Sequence, residues 1–209
     1  MKFRLTTLWL AAIAIAVAAA MSASAASAAP LFHAESEPVT FKGTSSNNTF
    51  ITNAGEVACS TSSFSGTNST KTSTTATLTP AYSGCKAFGL IGATVSTNEC
   101  SYVFHLVEGS SPPTAIVDIE CPAGNEITIE AIGCVVHVPA QSGLGHVVFA
   151  NKGTKATRGL EATVTVSGIT YTATGGCPSA GTASNGVYSG TVTIQGFNSS
   201  SIQQGVWVE

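Results

Sequence analysis

The six residues Glu161-Ala162-Thr163-Val164-Thr165-Val166 alternate strictly between polar and apolar side chains. Successive side chains of a β-strand point to opposite faces. The pattern therefore predicts a strand that buries Ala162, Val164 and Val166 and turns the other three residues to water. Similar short runs recur through residues 29–209, separated by Gly, Pro, Ser and Asn. This succession indicates strands joined by turns.

About a dozen strands are predicted in this way. They cover residues 39–42, 49–52, 73–79, 93–97, 101–107, 115–121, 126–132, 134–138, 146–150, 160–166, 169–173, 187–194 and 205–208. Beyond residue 28 we find no apolar spacing of helical period with a cap. Strands without intervening helices pair antiparallel, and the stable architectures are a sandwich or a sheet closed on itself. We favour an all-β, antiparallel β-sandwich of immunoglobulin-like or jelly-roll-like type, in one domain over residues 29–209.

One predicted strand is apolar on both faces, with Tyr102, Phe104 and Leu106 on one side and Val103 and Val107 on the other. A strand that is half solvated shows only one apolar face. This strand is therefore predicted to be central in the sheet.

The first 28 residues have the features of a secretory signal peptide. Lys2 and Arg4 precede an uncharged, mostly apolar run over residues 5–20, and small residues follow at alternate positions. We predict cleavage after Ala25 or Ala28. The apolar run is short for a membrane-spanning helix. We therefore expect no stable membrane insertion after cleavage, and we expect the protein to be secreted or held in the cell envelope.

Charge excludes several classes of partner. Two of the eight Lys and Arg residues and none of the eleven Asp and Glu residues lie in the predicted signal peptide, so residues 29–209 carry a net charge of −5. We find no basic run that would match a phosphate backbone, so we expect no nucleic-acid partner. Adhesion to anionic lipid is disfavoured for the same reason.

All six cysteines lie beyond the predicted signal peptide, and an even number in an exported chain indicates three disulfides. Six cysteines allow about 15 pairings. Our hypothesis is pairing in sequence order: Cys59–Cys85, Cys100–Cys121 and Cys134–Cys177. The alternative is a zinc site, but neither C-x-x-C nor H-x-x-x-H occurs beyond residue 28.

A weak internal repeat is also present. Residues 78–85 and 169–177 each follow a Thr-rich strand and end in Gly-Cys. The similarity suggests a duplication that would give two related halves.

The cysteine frame resembles that of secreted actinobacterial proteins of unknown function. The resemblance is carried by residues 77–85, by Cys100-Ser101-Tyr102-Val103-Phe104, by Cys121-Pro122 and by residues 166–172. It implies export and a disulfide-bonded β fold. It implies no activity and no functional residue.

Four acidic residues form the first candidate site. Asp118 and Glu120 point to one face of a predicted strand, and Glu126 and Glu130 share a face of the next strand. If these strands pair through the turn at 122–125, the four acids form one cluster. A calcium site or a pair of glycosidase carboxylates would suit such a cluster. We favour the alternative that the acids lie on the solvated face of a hairpin, where like charges serve solubility.

Histidines and aromatic residues supply the remaining candidates. His105, His137 and His146 lie on or beside strands and would form a metal site only if the fold brought them together. Trp207 is either a sugar-stacking platform or a latch that ties down the last strand, and we favour the latch. Tyr82, Phe88, Tyr171 and Tyr188 are further stacking candidates, although aromatic residues of strands usually belong to the core.

These observations favour an exported, non-enzymatic structural or interaction protein of the cell envelope or medium, with a glycan or another envelope protein as partner. A carbohydrate- or small-molecule-binding module is one alternative. A secreted hydrolase that uses the acidic residues is another. The G-x-S-x-G turn of α/β-hydrolases does not occur in the sequence. We assign no catalytic residue, metal ligand or cofactor.

Overall fold

The computed structural model describes residues 29–154 and 157–209, so the predicted signal peptide lies outside the described residues. The described residues form sixteen strands. These are β1 (Phe32–Ala34), β2 (Val39–Ser45), β3 (Asn48–Thr52), β4 (Gly55–Asn68), β5 (Thr72–Ser73), β6 (Thr75–Ala87), β7 (Ile91–Ser96), β8 (Ser101–Leu106), β9 (Thr114–Glu120), β10 (Ile127–Ala131), β11 (Cys134–Val138), β12 (Gln141–Lys152), β13 (Gly159–Gly175), β14 (Gly181–Phe197), β15 (Gln203–Gln204) and β16 (Val206–Val208).

Most of these strands combine into eight long antiparallel ribbons. Strands β2 and β3 run in the same direction along both of their neighbours, β4 and β14, and so form one interrupted ribbon. Strands β7 and β8, β9 and β10, and β11 and β12 combine in the same way. We number the ribbons in chain order: 1 is β2–β3, 2 is β4, 3 is β6, 4 is β7–β8, 5 is β9–β10, 6 is β11–β12, 7 is β13 and 8 is β14.

Each ribbon pairs with the ribbon before it and the ribbon after it, and the sheet closes because ribbon 8 pairs with ribbon 1. The seam is the antiparallel pairing of β14 with β2 and β3, from Phe197↔Thr40 to Val187↔Ile51. Ribbons that follow one another in the chain are therefore neighbours in the sheet. The crossover connections that characterise immunoglobulin-like and jelly-roll topologies do not occur between these ribbons.

Opposite walls of the closed sheet pack face to face, as in a sandwich. The rings of Tyr82 in ribbon 3 and Tyr188 in ribbon 8 lie 6.4 Å apart, although two other ribbons separate them around the sheet. The prediction of an all-β, antiparallel, disulfide-bonded and sandwich-like fold is confirmed.

Alternation along the ribbons produces the core. In β13, Ala162, Val164 and Val166 are buried while Thr163 and Thr165 are exposed, as the sequence predicts. The same pattern in the other ribbons turns Val, Ile, Leu and Phe side chains into the interior. Burial of that apolar surface is the main force that stabilises the closed sheet.

The three predicted disulfides, Cys59–Cys85, Cys100–Cys121 and Cys134–Cys177, are all present. The first joins ribbons 2 and 3, where the two cysteines are register partners. The second joins ribbons 4 and 5 at the points where both are interrupted, and the third joins ribbon 6 to the turn after ribbon 7. Disulfides persist in oxidising compartments, so this set fits a protein that works outside the cytosol.

The two ends of the closed sheet differ. A three-stranded sheet of β16, β1 and β5 covers one end, where Phe32 packs edge-on against Phe149 at 5.4 Å between ring centroids. Asn151 donates to the Val208 carbonyl and accepts from the Val208 N–H, which fixes the last strand to ribbon 6. Four hairpin turns surround the other end, which we call the mouth: residues 52–55, 87–91, 131–134 and 175–181.

Ribbon 2 is the main element that sequence analysis missed. Strand β4 is fourteen residues long and rich in Ser, Thr and Gly, with few apolar residues to mark its inward face. It forms because it pairs along its length with ribbon 1 on one side and ribbon 3 on the other. Its conformation is therefore imposed by its neighbours and not by its own alternation.

Loss of one disulfide is expected to destabilise the fold without changing it. Cys134 and Cys177 close a loop with a sequence separation of 43. In the chain-entropy model a loop of this length contributes roughly 4 kcal/mol. We expect the double variant Cys134→Ser/Cys177→Ser to lose about that amount of unfolding free energy in urea titrations.

Mass spectrometry after alkylation provides the control for this experiment. The wild-type protein should take up no alkyl group before reduction and six after reduction, because the described cysteines are all paired. Alkylation of the unreduced wild type would contradict the pairing.

Candidate functional site

The interior of the closed sheet contains an apolar cavity of about 90 Å³. Side chains from all eight ribbons line it, and none of those side chains carries a charge. Phe104, Val147, Val164 and Ile194 are typical of this lining, and all are buried. The cavity lies where opposite walls meet, so it is a property of the closure and not of any single element.

A strip of polar side chains crosses the wall of this cavity. Tyr82 Oη lies 2.9 Å from Tyr102 Oη and donates to Tyr188 Oη at 3.4 Å. Tyr188 donates to Asn48 Oδ1 at 2.7 Å, and Asn48 Nδ2 donates to Ser62 Oγ. We call these five residues the hydroxyl strip. It connects ribbons 4, 3, 8, 1 and 2 through side chains alone.

The hydroxyl strip is held in its neutral form. Burial raises the pKa of Tyr102 to about 12, because a phenolate would lose its hydration there. Burial is also the main cause that raises the pKa of Tyr82 and Tyr188 well above the usual range, and the charges of neighbouring tyrosines add to it. By accessible surface the three rings are only half-buried, and they border the cavity. The strip therefore presents neutral hydroxyl groups at physiological pH.

A glycine on the neighbouring ribbon makes room for Asn48. Gly190 is the register partner of Asn48 across the seam. A Cβ atom at Gly190 would lie 2.5 Å from Asn48 Oδ1 and 3.0 Å from the Asn47 carbonyl oxygen. Gly190 thus lets the Asn48 amide turn toward Tyr188.

A second pocket of about 210 Å³ opens at the mouth. Its lining comes from the four hairpin turns and includes Ala54, Phe88, Ile132 and Pro178. Three residues, Phe50, Val57 and Ile129, line both this pocket and the inner cavity. We call these three residues the neck. The mouth pocket and the inner cavity are therefore adjacent spaces along one axis of the closed sheet.

Large apolar side chains surround the mouth. Leu90 and Ile132, in two different turns, are 87% and 88% exposed, and Phe88 is 51% exposed. Phe88 has a φ of 53°, a left-handed conformation that is unusual for an aromatic residue. Its ring lies over Gly55, where a Cβ atom would approach the ring to 2.4 Å. An apolar rim of this kind is typical of a binding surface.

The acidic residues do not form the cluster that a hairpin would give. Strand β9 pairs with β8 and β12, while β10 pairs with β7 and β11, so β9 and β10 follow one another in ribbon 5 and do not pair. Asp118 accepts from the Gly143 N–H. Its Oδ2 also lies 3.1 Å from His105 Nε2, although the two atoms are not aligned for a hydrogen bond. Glu120 and Glu130 are exposed on the outer face.

Glu126 takes part in a different arrangement, which sequence analysis did not anticipate. Its Oε1 lies 2.6 Å from His137 Nδ1, and His137 Nε2 lies 3.4 Å from Thr174 Oγ1. The order of hydroxyl, imidazole and carboxylate resembles a catalytic triad. However, Thr174 Oγ1 also lies 3.4 Å from the Val135 carbonyl. The three groups lie outside the linings of the inner cavity and the mouth pocket. The arrangement is a hydrogen-bonded patch on ribbons 5, 6 and 7.

The histidines do not converge. His105 and His137 each contact a different carboxylate, and His146 is exposed on ribbon 6. Within residues 29–154 and 157–209, no group of three or more His, Cys, Asp or Glu side chains is arranged to hold a metal ion.

Trp207 makes the contacts of a latch. Its ring stacks on His33, its cross-strand partner, at 5.2 Å between centroids, and the Arg158 guanidinium lies 4.9 Å from the ring centroid. Leu31 and Glu209 exchange backbone hydrogen bonds on the same pair of strands. Trp207 thus belongs to the covered end and lies outside the linings of both cavities.

Sequence analysis found parts of the candidate site but not the site itself. It placed Tyr102 and Phe104 on one face of a central strand and grouped Tyr82 with Tyr188 as aromatic candidates. It gave no reason to bring Asn48 and Ser62 to these rings. Ser62 lies in β4, whose Ser- and Thr-rich sequence marks no inward face, so the sequence alone offered no signal for it.

Comparisons with protein-family models, with curated proteins and with solved structures gave no significant match. Across the described residues, no helix has the length and hydropathy to cross a membrane.

The three tyrosines of the hydroxyl strip are expected to make stability fall at alkaline pH. The unfolded chain releases their protons near pH 10, while the folded protein keeps them. The stabilisation is therefore complete below about pH 10 and is lost as the pH rises through about 12, the raised pKa of Tyr102. Urea unfolding at a series of pH values measures this effect. Ionisation of Tyr82, Tyr102 and Tyr188 near pH 10 in the folded protein, seen in the near-ultraviolet phenolate band, would contradict it.

Removal of the central hydroxyl tests whether the strip is connected as described. Tyr82→Phe leaves the hydroxyls of Tyr102 and Tyr188 without their shared partner. We expect a loss of about 1–3 kcal/mol in unfolding free energy, measured by urea titration. A loss indistinguishable from zero would argue against a bonded strip.

Proposed function

We propose that the protein is an exported, non-enzymatic binding module that holds a small, neutral, largely apolar molecule inside its closed sheet. The proposal rests on one observation, the adjacency of an interior apolar cavity and a mouth pocket, which share the neck residues Phe50, Val57 and Ile129 in their linings. A protein whose role was only structural would gain stability from filling this space.

Volume indicates the size of the ligand. An apolar cavity of roughly 150 Å³ stays dry and takes up benzene. The inner cavity, at about 90 Å³, is smaller than that, but the mouth pocket beside it measures about 210 Å³. Together the two spaces approach the lower end of small-molecule sites, about 300 Å³. The ligand therefore extends from the cavity through the neck into the mouth.

The lining indicates the polarity of the ligand. A charged group in the inner cavity would lose its hydration without gaining a counter-ion, because none of the lining side chains is charged. The ligand part held there is therefore neutral. The exposed apolar side chains at the mouth, Phe88, Leu90 and Ile132, give such a molecule a favourable first contact.

Export supports this role from an independent direction. The predicted signal peptide and the three disulfides suit a protein of the medium or cell envelope. We further propose that the protein belongs with the secreted actinobacterial proteins that its cysteine frame resembles. The three disulfides maintain the fold of such a module outside the cell.

A fluorescence titration tests the proposal. N-phenylnaphthylamine, a neutral probe that brightens in apolar surroundings, should bind the wild-type protein saturably and be displaced by propylbenzene. Val164 lines the inner cavity, and Thr163, the next residue of the same strand, is exposed on the outer face. Val164→Phe should therefore abolish binding, while Thr163→Phe, which adds the same ring to the outside, should leave binding unchanged.

A smaller substitution provides a control in case the Val164→Phe variant does not fold. Ala162→Val adds two methyl groups at another cavity-lining position. It should weaken probe binding by a smaller factor, and thermal unfolding reports whether each variant is folded. Absence of saturable binding to the wild type, or equal binding by the Val164→Phe and Thr163→Phe variants, would overturn the proposed function.

A further inference from the structure

We infer that the mouth is a lipid-docking surface, through which the protein adsorbs shallowly to a zwitterionic bilayer. Such docking lies beyond the proposed function, because it concerns the outer side of the mouth and holds whether or not the cavity takes up a ligand. The distribution of exposed apolar side chains, their charge-free surroundings and the backbone bonding of the turns point to it.

Exposed apolar side chains are concentrated at one end of the closed sheet. Among the described residues, five large ones lie in or next to the mouth turns: Ile51, Phe88, Leu90, Ile91 and Ile132. Only Ile116, on β9, and Ile202, in the turn that follows β14 at the covered end, are comparably exposed elsewhere in this part of the chain. Isolated apolar side chains are ordinary on a surface, whereas a group of them at one end marks an interaction surface.

The two most exposed members of this group favour a fluid partner. Leu90 and Ile132 are 87% and 88% exposed, and their turns are neighbours because β7 pairs with β10. Side chains this exposed stand out from the turns, so a folded partner would need two matching holes to cover them. A bilayer adapts to protruding side chains, and their transfer out of water is favourable.

The absence of charge suits the same partner. The four mouth turns contain no Asp, Glu, Lys, Arg or His, so none of their side chains would lose the hydration of a charge on entering lipid. Charged residues begin immediately beside the turns, with Glu56, Lys86 and Glu130, and all three are exposed. This boundary implies a shallow depth, with the turns below the headgroups and the charges level with them.

The sign of the charge selects the kind of lipid. Two carboxylates and one ammonium group stand at the boundary, and residues 29–209 carry a net charge of −5. An anionic bilayer repels such a surface, whereas a zwitterionic bilayer does not. Burial of apolar side chains is then the driving force, so the adsorption should depend little on salt concentration.

Hydrogen bonding within the turns lowers the cost of entering lipid. The Phe88 N–H donates to the Glu56 carbonyl at 2.9 Å, and the Leu90 N–H donates to the Ala87 carbonyl at 3.1 Å. An unbonded backbone group is costly in an apolar medium. The turn with the largest exposed apolar side chains therefore has these two donors satisfied before it leaves water.

Flotation with phosphatidylcholine vesicles tests the inference. The double variant Leu90→Asn/Ile132→Asn replaces two side chains that contribute little to the core, and it should bind at least roughly tenfold more weakly than the wild type. Ile202→Asn is the matched control, because Ile202 is 63% exposed at the covered end. This variant should bind as the wild type does. Thermal unfolding verifies that each variant is folded.

Fluorescence quenching reports which end of the molecule docks. Leu90→Trp places an indole at the mouth, and Ile202→Trp places one at the covered end, with Trp207 giving the same background in both. Phosphatidylcholine that carries a nitroxide near the headgroup quenches tryptophan on contact. We expect added quenching for Leu90→Trp and none for Ile202→Trp.

Each outcome is decisive. Binding that the double variant weakens and Ile202→Asn retains, with quenching at the mouth, supports the inference. No binding of the wild type, binding only when phosphatidylglycerol is added, or equal binding by the wild type and the double variant overturns it. A dimer in sedimentation that the double variant dissociates would assign the mouth to a second copy of the chain and also overturns it. The probe titration of the proposed function is carried out without vesicles, so either idea can fail without the other.

Discussion

The pairing of the last ribbon with the first is the constraint on which the rest of the molecule depends. Strand β14 hydrogen-bonds to β2 and β3 over residues that are far apart in the chain. With this seam formed, the sheet of eight ribbons has no free edge, and its inward side chains form one apolar interior. Without it, the ribbons would form an open sheet with one apolar face exposed.

The seam also assembles the polar part of the interior. Asn48 and Tyr188 lie on the two ribbons that meet there, and their hydrogen bond continues across the cavity wall to Tyr82 and Tyr102. Buried hydroxyl groups are costly unless they are bonded, so this strip favours one register of the two ribbons over others.

The sequence predicted the local features of this fold better than the long-range ones. Alternation identified the centre of β13, and a run that is apolar on both faces identified β8. The cysteines were paired correctly because each lies near its partner in chain order. The sequence did not predict β4, whose Ser and Thr side chains carry no alternation, or the absence of a β9–β10 hairpin, which depends on the partners of each strand. Closure and the hydroxyl strip follow from contacts across the interior, and such contacts leave no periodic signal in a single chain.

The disulfides have a consequence for how the molecule can open. They tie ribbon 2 to ribbon 3, ribbon 4 to ribbon 5, and ribbon 6 to the turn after ribbon 7, while short hairpin turns link the other consecutive pairs. Within the described residues, ribbons 8 and 1 are neighbours joined by neither a turn nor a sulfur bridge. Non-covalent interactions alone therefore hold ribbon 8 to ribbon 1. We therefore expect the walls to separate first along that line, and amide hydrogens there to exchange with solvent before those of the cross-linked ribbons.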